Sequence, residues 1–220
     1  MTRNKSKINK KTNIKEKSGS KEKEFAQIAD FLFEVGMLQK TPRSGFQFLG
    51  SGEQSVAEHL HRVSVIAYVL ALLSKVENPH KVVSMAVFHD LSEARISDLN
   101  YVHQKYNTRL EEKAHADIVA SVPFGKELKS LIDEYEERQT VESKIVKDAD
   151  NLEWILSLKE QKDIGNERAG EWLPSAVARL KTEAGKNLAE IILQTRSDRW
   201  WFGDPTDGWW VYRKGDVSGQ

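Results

Sequence analysis

The sequence contains no cysteine. That excludes disulfide staples, thiolate nucleophiles and thiolate metal ligands together, and leaves only nitrogen and oxygen donors for any bound ion. It also suits a reducing compartment, so a cytoplasmic protein is expected. No apolar run is expected to approach the length of a membrane span, and the basic N-terminus leads into no apolar segment of the kind a signal peptide needs. No membrane partner is therefore expected. Convincing apolar/polar alternation is missing until the last twenty or so residues, so β structure is not expected in the body of the chain.

Net charge is also missing, because 33 Lys/Arg balance 33 Asp/Glu. The balance hides an asymmetry. Nine of the basic residues and two of the acidic ones fall in residues 1–23, so the remainder carries 24 basic against 31 acidic residues. A nucleic-acid-binding fold usually presents a basic face, whereas here the positive charge sits in a stretch with no hydrophobic period. We expect residues 1–23 to be a disordered basic arm and nucleic acid not to be the main partner. At 220 residues, the rest suffices for one well-buried domain.

What is present is a helical pattern. Phe25, Ile28, Leu32 and Val35 recur at helical spacing, stopped by Gly36 and Thr41-Pro42. Ser55 can cap a second helix, with Glu58 completing a capping box and Val56, Leu60, Val63, Ala67 and Leu70 forming one stripe. Asn78-Pro79 ends it and opens a third, whose buried face is expected from Val82, Val83, Ala86 and Val87. A loop at Ser97–Asn100 follows, then helices over about 108–121, 124–137, 140–164 and 172–196. At the end, Arg199-Trp-Trp-Phe and Trp209-Trp-Val-Tyr flank Gly203-Asp-Pro-Thr-Asp-Gly208, which reads as a small aromatic hairpin. The organisation expected is an arm (1–23), an all-α helical bundle (24–196) and a C-terminal aromatic hairpin-like extension (197–220).

The chemistry-bearing residues are histidines beside carboxylates. Glu58-His59 lies on the second helix and His89-Asp90 at the end of the third. Neighbouring side chains in a helix point about 100° apart, so an adjacent pair can share one ion only where the helix ends or distorts. With Asp150 from Lys147-Asp148-Ala149-Asp150, the donors His59, His89, Asp90 and Asp150 can converge. Imidazole and carboxylate together suit one divalent ion such as Mn, Co, Ni, Fe, Mg or Zn, with positions left open for substrate. Glu93, four residues after His89, and Asp98 in the following loop can divide proton transfers at that centre. Lys147, one turn before Asp150, is a candidate for substrate contact. His61, His80, His103 and His115 are expected to be packed or exposed residues rather than ligands.

His59, then His89-Asp90-Leu-Ser-Glu93 with Asp98, then Asp150, resembles the HD-domain phosphohydrolase superfamily. Thr41-Pro-Arg43-Ser-Gly-Phe46 followed by Glu53-Gln-Ser-Val-Ala-Glu-His59 looks like its 5'-deoxynucleotidase family, over roughly residues 25–160. The resemblance implies an HD-domain helical bundle and one divalent ion on the four donors. It also implies Glu93 and Asp98 as catalytic carboxylates, Arg43 as a phosphate contact, a deoxynucleoside 5'-monophosphate substrate and a homodimer. Two positions depart from the family: Ser44 replaces a tryptophan of the bacterial enzyme tied to sugar selection, and Ser97 stands where glycine is common. An HD-type phosphodiesterase or guanosine-polyphosphate hydrolase is the enzymatic alternative, although the latter usually carries Glu-Asp where this chain has Glu93-Ala94. A non-catalytic nucleotide-binding protein is the third reading. The C-terminal tryptophans could stack on a base or simply pack.

Overall fold

The computed structural model describes residues 20–108 and 110–212. Among these every regular element is helical, with a single isolated bridge between Pro42 and Ser55. Most of the expected basic arm lies outside the described residues, but 20–23 already belong to the first helix, α1 (20–35). A 3-10 turn, Gly36–Gln39, follows, then α2 (Phe46–Leu49), α3 (Val56–Leu73), α4 (Pro79–Phe88), α5 (Glu93–Ile96) and α6 (Tyr101–Tyr106). The second half holds α7 (Glu111–Ser121), α8 (Gly125–Glu137), α9 (Val141–Asp163), α10 (Glu167–Val177), α11 (Glu183–Gln194) and a last turn, α12 (Trp209–Tyr212).

Helix α3 starts where the sequence says it should. The Ser55 side chain accepts from the Glu58 backbone N–H and the Glu58 carboxylate accepts from the Ser55 N–H. All five residues of its expected stripe are buried. By length and composition α3 could cross a membrane, which corrects the expectation that no run approaches a span. In this fold it is the central helix against which α4 and α9 pack. One core joins α3, α4 and α9 to α10 and α11; a second gathers Phe31, Leu38, Leu60, Leu91, Ile118 and Leu128 beneath α7 and α8.

Three expectations need correction. In α1 the buried residue is Phe31, set edge-on against Phe124 at 5.5 Å between ring centres, while Phe25 and Leu32 are exposed, so the buried face is rotated from the expected stripe. In α4, Met85 is buried and Val87 exposed. The helix expected over 172–196 is two. The break is fixed by buried Asp148 of α9, which accepts from the Lys181 and Thr182 backbone N–H groups and the Thr182 hydroxyl at 2.6–3.1 Å. Thr182 then caps α11, and a Cβ on Gly185 would stand 2.6 Å from the Asp148 carboxylate, so α11 approaches α9 closely only because that residue is glycine.

The C-terminal aromatics meet without forming a hairpin. Residues 199–202 are in turns and Trp209–Tyr212 is a helical turn, with Trp201 and Phe202 each edge-on to Trp210. The Trp210 indole N–H donates to the Asp204 carbonyl, closing the loop across the Gly/Pro segment. Residues 213–220 lie outside those described.

Candidate metal centre and active site

Each candidate ligand is aimed by its local backbone. His59 occupies the first turn of α3 on the side of the Val56/Leu60/Val63 stripe, so it points into the protein and is fully buried. Its Nδ1 lies 2.7 Å from Glu153 Oε2, which turns Nε2 the other way. His89 is the C-cap of α4, and its Nδ1 meets the Ala86 carbonyl at 2.8 Å, again leaving Nε2 facing inward. Beyond it α4 does not simply continue. Tight i→i+3 bonds, Leu91 N–H to Phe88 and Glu93 N–H to Asp90, swing the chain so that adjacent His89 and Asp90 face one centre. Asp150 comes from α9, half-buried on the side facing α3.

The atoms converge. Ligand atoms of His59, His89 and Asp150 all lie within 4.8 Å of one another. Asp90 Oδ2 is 3.5 Å from His59 Nε2 and 3.3 Å from His89 Nε2, and Asp150 Oδ1 is 3.3 Å from His59 Nε2. Two donors each about 2.1 Å from one ion stand about 3.0–3.4 Å apart, so these separations match the edges of a coordination shell. Among the described residues, neither buried Nε2 atom has a hydrogen-bond partner. A buried unpartnered imidazole nitrogen is costly, and a cation between the two rings and the carboxylates would remove that cost. The donor set therefore fits a divalent metal with nitrogen and oxygen preference.

The surrounding charges sharpen the site. Arg43 reaches Asp98 Oδ2 at 3.2 Å and Asp90 Oδ2 at 3.6 Å. Burial works against its charge, but Asp90, Asp98, Asp150 and Glu93 outweigh that and hold the guanidinium more firmly protonated than usual. Burial pushes Asp90 up, yet the charges of His89 and His59 hold it well below the usual carboxylate range; burial likewise opposes Asp150, and the charges of Lys147 and His59 reverse it. His59, opposed by burial and by Arg43, is raised well above its ordinary value by Asp150, Asp90 and Glu153. The cluster thus favours positive charge at His59 Nε2, whether from a proton or from an ion.

The second set of expected residues lies close by. Asp98 accepts from the Ser44 backbone N–H at 2.9 Å as well as facing Arg43, which joins its loop to the Arg43 loop. Ser97, immediately before it, has φ +62° and ψ 163°, a glycine-like conformation. Glu93 is buried at the start of α5, reached through the 89–92 turns and not by continuation of α4, and its charge acts on Arg43. Lys147 donates to Asp150 Oδ2 at 2.7 Å, with its side chain 42% exposed. His61, His80 and His103 are exposed; His115 is buried between α7 and α8.

Three residues were not singled out from the sequence. Glu153 is fully buried, Arg62 binds it from α3, and Tyr135 packs edge-on against the His89 ring at 5.2 Å. A signal existed for the first two: Glu153 follows Asp150, and Arg62 follows His59, by three residues, the spacing of one helix face. Burial opposes ionisation of Glu153, but the His59 hydrogen bond and the charges of His59 and Arg62 bring it down to about 2.

A helical bundle that turns two imidazoles and two carboxylates onto one point is the architecture of an HD-domain protein. The HD-domain family model matches residues 35–192, and the chain belongs to that family. Within it, the chain is 33% identical over 147 residues to the 5'-deoxynucleotidase HDDC2 of Bos taurus, covering 63% of this chain and 70% of that one. It is 27% identical over 184 residues to the 5'-deoxynucleotidase hdd1 of Schizosaccharomyces pombe, covering 79% and 92%. Among solved structures, a conserved hypothetical protein from Pyrococcus furiosus superposes with a TM-score of 0.63 at 32% identity, covering 76% of this chain and 97% of that one.

Proposed function

We propose that this protein is a metal-dependent phosphomonoesterase that releases phosphate from (deoxy)nucleoside 5'-monophosphates. The observation that carries this reading is the convergence of His59, His89, Asp90 and Asp150, with two buried unpartnered Nε2 atoms aimed at the same point. The names of the HDDC2 and hdd1 relatives support the nucleotide as substrate. When bound to those four residues, a divalent ion supplies Lewis-acid neutralisation of phosphoryl charge and a lowered pKa for water.

The chain's own residues do the rest. Arg43 meets the phosphoryl oxygens, where a fork of N–H donors pairs with two oxygens at once; its present partners, Asp98 and Asp90, keep it extended toward the cluster. Glu93 and Asp98 handle the two protons of the reaction, one leaving the attacking water and one reaching the departing 5'-oxygen. Lys147, held on Asp150 and half in solvent, would meet the outer side of the phosphate, a role its exposed ammonium supports. Ser44 offers only its backbone N–H to Asp98 and no ring to the sugar, so the choice between ribose and deoxyribose rests on other walls of the site.

The test is phosphate release from a panel of nucleoside 5'-monophosphates, phosphodiesters and guanosine polyphosphates, after chelation and re-addition of single divalent ions. Monoester hydrolysis that disappears with the chelator and returns with an ion supports the reading. Turnover of diesters or of guanosine polyphosphates alone would replace it. We infer also that the enzyme is a cytosolic homodimer. Val65, Tyr68, Val69 and Leu72 are exposed at i, i+3, i+4 and i+7 on α3, an unpartnered apolar ridge that a second copy would cover. Light scattering should give a dimer for the native chain and a monomer for Leu72→Glu.

A further inference from the structure

Glu153 holds its two oxygens in different chemical company. Oε1 accepts from the Gln54 amide at 2.6 Å, from Arg62 Nη2 at 2.8 Å and Nε at 3.0 Å, and from the Ser157 hydroxyl at 3.2 Å. Among the described residues, Oε2 faces one group alone, His59 Nδ1 at 2.7 Å. Two nitrogens of the Arg62 guanidinium on Oε1 favour the ionised carboxylate, so Oε2 meets His59 as an acceptor. Nδ1 must then carry the hydrogen, and the lone pair of a neutral His59 is confined to Nε2, the atom that points at Asp90 and Asp150.

We propose that Glu153 is a positioning residue for the metal centre: by accepting from His59 Nδ1 it fixes the tautomer and ring orientation that present Nε2 to the ion. This rests on the metal reading given above. It extends that reading to a residue with no contact to substrate, and to the elements that hold Glu153 in turn. Arg62 comes from the next turn of α3 and is itself anchored by Glu160 at 2.6 Å. Gln54 sits in the Arg43 loop, where its carbonyl accepts from the Arg43 backbone N–H at 2.8 Å. One carboxylate therefore ties the His59 helix, α9 and the Arg43 loop to a single geometry, and carboxylate partners of this kind orient metal-binding histidines generally.

The donor arrangement makes a sharp distinction between two substitutions. Glu153→Gln is nearly isosteric, but its one remaining acceptor oxygen is demanded by Gln54, Arg62 and Ser157. The amide NH2 is then left facing His59 Nδ1, where it can donate but not accept. That arrangement favours the tautomer with hydrogen on Nε2, which cannot bind an ion. Glu153→Asp is one methylene short but keeps an acceptor for each side. Shape alone ranks Gln above Asp; acceptor chemistry ranks Asp above Gln.

The experiment is titration of the full chain with Co²⁺, followed by its visible absorption and by calorimetry, alongside circular dichroism of each ion-free variant. Glu153→Gln should bind Co²⁺ about 10- to 100-fold more weakly than the native chain at unchanged helicity, with Glu153→Asp between them. Native-like affinity in Glu153→Gln, or Asp weaker than Gln, overturns the proposal while leaving the metal centre standing. A native chain that binds no ion overturns both. Where Glu153→Gln does not fold, the ¹⁵N-labelled native chain loaded with Zn²⁺ decides. A slowly exchanging, downfield proton on His59 Nδ1 upholds the assignment, and its absence overturns it.

Discussion

At the residue scale, the ligand and proton-transfer roles separate cleanly enough to be tested against each other. Asp90 touches both histidines, so Asp90→Ala should lose ion binding and turnover together. Glu93 is assigned proton transfer and not ion binding in the proposed mechanism, so Glu93→Ala should bind Co²⁺ like the native chain while turnover falls by about 10²- to 10⁴-fold. Paired calorimetry and phosphate-release assays check both. Ser97 carries a different kind of information. Its φ of +62° with ψ 163° belongs to a region that glycine adopts freely and other residues hold only under strain, at roughly 1–3 kcal/mol. Asp98 is nevertheless delivered to Ser44 and Arg43, so the turn is imposed by its surroundings. Ser97→Gly should relieve the strain at the cost of a more flexible unfolded chain, a net gain of about 1 kcal/mol. Thermal melts should show the rise, and activity should be retained because neither partner of Asp98 changes.

At the scale of elements, legibility followed local chemistry. The start of α3 was readable because Ser55 and Glu58 form a capping box within four residues, and the end of α4 because Asn78-Pro79 and the His89-Asp90 pair bracket one apolar stripe. His59, in the first turn of α3, and His89-Asp90, at the end of α4, were readable for the same reason, whereas Asp150 lies in the middle of α9 and was picked out through the resemblance to the HD-domain family. The break between α10 and α11 was not, because Asp148, some thirty residues away, sets it by capping backbone groups at Lys181 and Thr182. The buried face of α1 was missed because Phe124, remote in sequence, selects Phe31 over its neighbours. Long-range polar ties of this sort also set stability. Glu134 of α8 accepts from Lys81 of α4 and from Thr140, the N-cap of α9, each at 2.8 Å. Burial pushes Glu134 up, but the Lys81 and Thr140 hydrogen bonds and the Lys81 charge leave it below its ordinary value. A carboxylate lowered in the folded state stabilises fully above its unfolded pKa and loses that contribution as pH falls through the folded one. Glu134→Gln should therefore be less stable than the native chain by about 1 kcal/mol at neutral pH. The gap should narrow and close as pH falls below the ordinary glutamate range and through the lowered folded pKa, in denaturant titrations run at successive pH values.

At the scale of the whole molecule, the proposed metal centre joins parts that the two hydrophobic cores hold only indirectly. His59 and Asp150 belong to helices of the larger core, His89 and Asp90 stand at the hinge between α4 and α5, and Leu91, one residue on, packs in the smaller core. Arg43 and Asp98 bring in two loops. An ion at this point would act as a crosslink among α3, α4, α9 and the Arg43 loop, replacing two unpartnered imidazole nitrogens and a set of crowded carboxylates with coordinate bonds. Binding to the folded state alone stabilises by mass action, about 2.7 kcal/mol when the free ion is at one hundred times its dissociation constant. For a domain of this size that corresponds to a rise in melting temperature of about 5–10 °C over the chelated protein. The rise should vanish in Asp90→Ala and persist in Leu72→Glu, whose substitution lies on the outer ridge of α3 away from the centre. Equal melting temperatures for chelated and ion-loaded native protein, at ion concentrations that saturate catalysis, would show that the four donors do not share an ion. The loss would extend to the catalytic reading, because no other set of buried histidine and carboxylate donors among the described residues closes on one point in this way.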